Sequence, residues 1–139
     1  MNVETINGGS GSEFITLGTQ ITGGTINLGA GADRLTLGNF VNTLTVSNIE
    51  SVMGGATNDT VTLGSSITGG SINLGFGNDT LVLGNFNNTV TVSNVETLTG
   101  NSGNDLITLG SDYNGALDLG AGTDRLTLSN GSNNVTVQN

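Results

Sequence analysis

The chain has 139 residues, one domain's worth, with 24 glycines, no proline, 4% aromatic and 9% charged residues. It has no cysteine for a disulfide framework and no histidine for imidazole catalysis or the usual zinc sites. Eleven acids against two arginines, Arg34 and Arg125, give a net charge of −9 and leave no basic face for nucleic acid.

No run of apolar residues is long enough for a membrane span, so no membrane insertion is expected. The start, Met1-Asn2-Val3-Glu4, lacks the basic and apolar regions of a signal peptide. Alternating apolar and polar residues then mark short strands. In chain order they are Ile15-Thr16-Leu17, Ile26-Asn27-Leu28, Leu35-Thr36-Leu37, Leu44-Thr45-Val46 and a weaker one around Val52. Their first apolar residues lie 11, 9, 9 and 8 apart, then 9 to Val61. No stretch has helical periodicity, and Gly, Asn and Ser fill the turns.

The pattern repeats every 46 residues. Asn2-Val3-Glu4-Thr5-Ile6 returns as Asn48-Ile49-Glu50-Ser51-Val52 and as Asn94-Val95-Glu96-Thr97-Leu98, dividing the chain into repeats 2–47, 48–93 and 94–139. The third repeat loses one residue at Asp112-Tyr113-Asn114-Gly115. Five strand-and-turn units of about nine residues fill each repeat. The expected fold is all-β: one right-handed parallel β-roll over residues 1–139, a two-sided β-solenoid with about 18 residues per coil.

The turns carry a motif. Gly100-Asn101-Ser102-Gly103-Asn104-Asp105-Leu106-Ile107-Thr108 combines glycines that permit tight backbone with an acid and a following strand. Gly8 to Thr16 fits the same pattern with Glu13 for Asp, and Gly54 to Thr62 lacks only the third glycine. Leu28 to Asp33, Leu74 to Asp79 and Leu119 to Asp124 replace the first glycine by leucine. These copies match Gly-Gly-x-Gly-x-Asp-x-apolar-x, and here the chain resembles the calcium-binding β-roll repeats of RTX proteins over nearly its whole length.

An odd number of units per repeat sorts the turns onto two edges. Taking the residue two before each strand's first apolar position, one edge reads Glu13, Asp33, Glu50, Gly70, Asn88, Asp105, Asp124. The other reads Glu4, Gly24, Asn42, Asp59, Asp79, Glu96, Gly115, Asn133. The resemblance implies Ca2+ held between adjacent turns of one edge. The candidate ligands are then Glu13, Asp33, Glu50, Asp59, Asp79, Glu96, Asp105 and Asp124. They pair as Glu13/Asp33, Asp33/Glu50, Asp59/Asp79, Asp79/Glu96 and Asp105/Asp124. Both edge lists count the weak units at Val52 and Leu98 as strands. The Gly and Asn turns read as plain structural corners, with Phe40 and Phe86 packed over the core's edge and Asn39, Asn85 and Asn130 bonding at corners.

A thin aliphatic core and clustered acids predict folding coupled to calcium. Val135-Thr136-Val137-Gln138-Asn139 matches Val90-Thr91-Val92-Ser93-Asn94, so the chain stops at the phase where it starts. That predicts head-to-tail self-association into a filament, or a place within a longer array. The expected function is a calcium-stabilised structural or surface module such as an adhesin extension. The resemblance implies a bacterial protein, extracellular or at the cell surface, exported by type I secretion. Such proteins usually carry a C-terminal secretion signal, which this sequence does not display. The alternative is ice binding through one threonine face: Thr25-Ile26-Asn27, Thr43-Leu44-Thr45, Thr60-Val61-Thr62, Thr80-Leu81-Val82, Thr97-Leu98-Thr99, Ala116-Leu117-Asp118 and Asn134-Val135-Thr136. No enzyme is expected. The acids are repeated rather than unique, and Asp112, Tyr113 and Asp118 follow from the one-residue deletion.

Overall fold

A computed structural model describes residues 4–139. Asn2 and Val3, which begin the first repeat, lie outside the described residues, as does Met1. The strands, in chain order, are β1 (Thr5–Asn7), β2 (Phe14–Thr16), β3 (Thr22–Asn27), β4 (Arg34–Thr36), β5 (Thr43–Ser47), β6 (Ser51–Gly55), β7 (Thr60–Leu63) and β8 (Thr68–Gly75). They continue as β9 (Thr80–Val82), β10 (Thr89–Ser93), β11 (Thr97–Thr99), β12 (Leu106–Leu109), β13 (Asn114–Asp118), β14 (Arg125–Thr127) and β15 (Asn134–Gln138). The weak units at Val52 and Leu98 are strands, β6 and β11, as the two-edge sorting requires.

Odd-numbered strands form one eight-stranded parallel sheet and even-numbered strands one seven-stranded parallel sheet. The chain therefore winds as a two-walled solenoid, each strand pairing with those two before and two after it. Alternation explains the packing: successive side chains leave a strand on opposite faces. Ile, Leu and Val point between the walls, where Leu28, Leu35, Leu37, Val52, Val61, Leu74, Leu81 and Leu98 are all completely buried. Burying each such side chain contributes about 1.5–3 kcal/mol.

Away from the bulges, partnered residues are 17, 19 or 20 positions apart, as in Thr43 with Thr60, Thr97 with Ala116 and Thr25 with Thr45. The expected coil of about 18 residues is thus an average that no individual coil has. In two coils a bulge adds the extra residue: Gly23 and Gly69, at φ 75° and 72°, drop out of register between Thr22 and Gly24 and between Thr68 and Gly70. The deletion in the third repeat removes that bulge residue. There β13 pairs with β15 without a break from Asn114–Asn134 to Asp118–Gln138. Tyr113, which stands where Ile21 and Ile67 stand in earlier repeats, is buried beside it, its hydroxyl donating to the Ala116 carbonyl at 2.8 Å.

The register also corrects the threonine rows. Thr25 lies opposite Thr45 rather than Thr43, and Thr136 lies opposite Ala116, so the last row is Thr136-Val137-Gln138. The bulge at Gly23 accounts for the first shift, and the missing bulge for the second.

Candidate metal centre

At each corner the residue two before the strand's first inward side chain lands on the same line, one coil above its predecessor. On the first edge the Glu13 N–H donates to Asp33 Oδ1 at 2.7 Å, and the Asp33 N–H to Glu50 Oε2 at 2.7 Å. Further along, the Asn88 N–H donates to Asp105 Oδ1 at 3.0 Å and the Asp105 N–H to Asp124 Oδ1 at 2.9 Å. On the second edge Asn42 donates to Asp59 Oδ1 at 3.0 Å, Asp59 to Asp79 Oδ1 at 2.7 Å, and Asp79 to Glu96 Oε2 at 2.7 Å. All five expected pairs are stacked neighbours. Gly70 and Gly115 have no side chain to accept a bond, so the runs end at Glu50 and Glu96.

Four of these acids are buried, while Glu50 is exposed and Glu13, Glu96 and Asp124 are half-buried. Asp33, Asp59, Asp79 and Asp105 are each at most 2% exposed. At Asp33, Asp59, Asp79 and Asp105 the ladder uses Oδ1 and leaves Oδ2 buried with no hydrogen bond, and Glu13 Oε2 is buried unbonded as well. A buried anionic oxygen without a donor is costly, and it is rare in folded proteins. Burial pushes the Asp79 carboxyl up to about 6, and the facing Asp59 and Glu96 charges add to that, against the opposing bond from the Asp59 amide. Burial likewise raises Asp59 and Asp105, although hydrogen bonds from Asn42 and Asn88 pull the other way.

The coils touch at the corners. Gly29 has φ 93°, and a Cβ there would overlap the Gly9 carbonyl oxygen one coil away. At Gly100 an added Cβ would meet both the Leu119 carbonyl oxygen and Asp105 Oδ2, so a backbone carbonyl and an orphaned carboxylate oxygen share that corner. Among the described residues no three acidic side chains converge, so side chains alone close no shell. Calcium takes about six to eight oxygens, backbone carbonyls included, and tolerates irregular geometry. Stacked anionic oxygens without donors, beside carbonyls and with no nitrogen or sulfur ligand, suit that ion.

The family model of the RTX calcium-binding nonapeptide repeat, four copies long, matches residues 71–90 and 93–112. These stretches are RTX repeats. RTX nonapeptide repeats bind calcium, and the matched residues carry Asp79, Glu96 and Asp105 on both edges of the roll. No curated protein and no solved structure matches the chain. Stacked acids such as Asp59 with Asp79 and Asp79 with Glu96 would hold calcium, which would supply positive charge to their carboxylates.

The three asparagine corners expected to be structural are so, and they do more than turn the chain. Asn42, Asn88 and Asn133 are full members of the ladder: their Oδ1 atoms accept the N–H of Ile21, Ile67 and Tyr113 at 3.0, 3.1 and 3.2 Å. Their shared position with the acids in the edge lists was the available signal. Among the other corner residues, Asn85 Oδ1 accepts from Ser102 Oγ at 3.0 Å, and the ring of Phe40 remains 37% exposed beside Gly38.

Proposed function

We propose that the chain is a calcium-stabilised structural repeat module working outside the cell, a stiff spacer that extends by adding coils. One observation carries the reading: five buried carboxylate oxygens, lying between coils, have no partner in the protein and need a cation. RTX repeats are typical of secreted bacterial proteins, which supports the extracellular setting, where calcium is plentiful. The reading requires the full chain to take up several calcium ions in isothermal titration at millimolar calcium; absence of saturable uptake overturns it.

A second reading, ice binding, is favoured by how the threonines are distributed. Because a repeat makes two and a half coils, equivalent residues of successive repeats fall on opposite walls. Thr60, Thr80, Thr97 and Thr99 line the eight-stranded wall. Their equivalents on the seven-stranded wall are Phe14 and Leu106, Arg34 and Arg125, Ser51, and Met53. The seven-stranded wall keeps Thr16, Thr36, Thr89, Thr91, Thr108 and Thr127, as strand propensity favours on either wall, but Phe14, Arg34, Met53, Leu106 and Arg125 interrupt its rows. Rows about 4.8 Å apart would present a regular hydroxyl and methyl lattice to ordered water. Thermal hysteresis is the expected readout, abolished by Thr62→Lys and untouched by Thr108→Lys, the equivalent position on the other wall; no hysteresis from the unaltered chain sinks this reading.

A further inference from the structure

The three asparagine corners repeat one arrangement that goes beyond the ladder bond. With Oδ1 taken by the N–H of the preceding coil, the amide nitrogen of Asn42 turns back into its own corner. It donates to the Phe40 carbonyl at 2.6 Å and lies 3.5 Å from the Leu37 carbonyl, while reaching Asp59 Oδ1 at 2.9 Å. Asn88 Nδ2 does the same to Phe86, Leu83 and Asp105 at 3.0, 3.4 and 2.9 Å. Asn133 Nδ2 bonds the Gly131 and Ser129 carbonyls, both at 3.2 Å. The partners dictate which end is nitrogen: an N–H on one side demands the oxygen, and carbonyls on the other demand the NH2.

Asparagine and aspartate have the same shape. Where an acid stands at this position, its ladder oxygen is likewise Oδ1, and the atom left over in place of the amide nitrogen is Oδ2, which has no partner at Asp33, Asp59, Asp79 or Asp105. The two corner types differ by one atom and, with it, by the sign of what the corner lacks. We infer that Asn42, Asn88 and Asn133 are built-in cation substitutes. Their amide nitrogens satisfy corner carbonyls, a place that at acid corners is left to a calcium ion, and at Asn42 and Asn88 they add a second donor to the next coil's ladder oxygen, Asp59 or Asp105 Oδ1, whose partner Oδ2 stays unbonded. This inference rests on the calcium reading for the acid corners and adds that the amide corners are metal-free couplings. Asn42 and Asn88 each head a run of acids, so the first carboxylate of the run is held by an amide donor with no ion above it.

The substitution works in both directions, and one direction needs no metal. Asp79→Asn, in excess chelator at neutral pH, is expected to keep clearly more strand signal in circular dichroism than the unaltered chain, because an NH2 replaces an orphaned anionic oxygen; no gain overturns the inference. In calcium titrations of the full chain, Asn42→Asp and Asn88→Asp are each expected to take up one ion more than the unaltered protein. Each should melt lower than the unaltered protein at limiting calcium and return to the unaltered melting temperature at saturating calcium. A folded Asn88→Asp protein with unchanged stoichiometry overturns the inference. If the unaltered chain binds no calcium, the calcium reading fails by itself, and the strand signal of Asp79→Asn in chelator still decides the amide's role.

Discussion

In excess chelator at neutral pH the roll is expected to lose most of its strand signal in circular dichroism, and acidification toward pH 4 is expected to restore part of it. Each ion that binds only the folded form stabilises it by about 2.7 kcal/mol at a hundredfold excess over its Kd. Five stacked carboxylate pairs at that value exceed the whole stability of many domains, about 5–15 kcal/mol. Without the ions, the orphaned oxygens remain buried and the stacked charges repel. The acid effect follows from Asp79, whose carboxyl moves from 3.8 to about 6 on folding. Between those values the folded chain binds more protons than the unfolded one, so apo stability falls as pH rises from about 4 to about 6 and is flat above. At about 1.4 kcal/mol per pH unit the Asp79 contribution is on the order of 3 kcal/mol. Asp59 and Asp105, raised by burial as well, act in the same direction. The calcium-loaded roll has the opposite slope, because ligands must be deprotonated and protons below pH 6 compete with the ion. Full strand content in chelator at pH 7.5, or the same slope with and without calcium, refutes the coupling.

Gly29→Ala is expected to prevent folding even with calcium, while Gly18→Ala leaves the melting temperature within about 2 °C. At Gly29 two penalties coincide. The left-handed φ of 93° strains any residue with a Cβ, at about 1–3 kcal/mol. The added carbon would also overlap the Gly9 carbonyl oxygen, and backbone cannot swing aside as a side-chain tip does. Separating the coils to make room would break the Ala30 N–H to Gly9 carbonyl bond of 2.9 Å and disturb the Asp33 corner beside it. At Gly18 nothing lies within 4 Å of the added carbon, so the change should be close to neutral. Differential scanning calorimetry of both proteins in saturating calcium separates the outcomes. A Gly29→Ala protein that melts like the parent would mean that the corners stack less tightly than described.

Much of this molecule follows from one-dimensional period alone. Alternation identified the strands and the inward Ile, Leu and Val set, because successive side chains of a strand must face opposite ways. The odd count of units per repeat sorted Glu13, Asp33 and Glu50 onto one edge and Asp59, Asp79 and Glu96 onto the other, and the acids stack as that count requires. What the period does not contain is how coils of unequal length meet. A bulge at Gly23 or Gly69 shifts register by one without disturbing the apolar pattern, so the coil lengths of 17, 19 and 20 and the threonine rows come from inter-coil hydrogen bonds. The asparagine corners were equally hidden. Asn42 and Asp79 occupy the same position in the sequence pattern, and only a three-dimensional count of donors and acceptors distinguishes the satisfied amide from the carboxylate oxygen that still needs a cation.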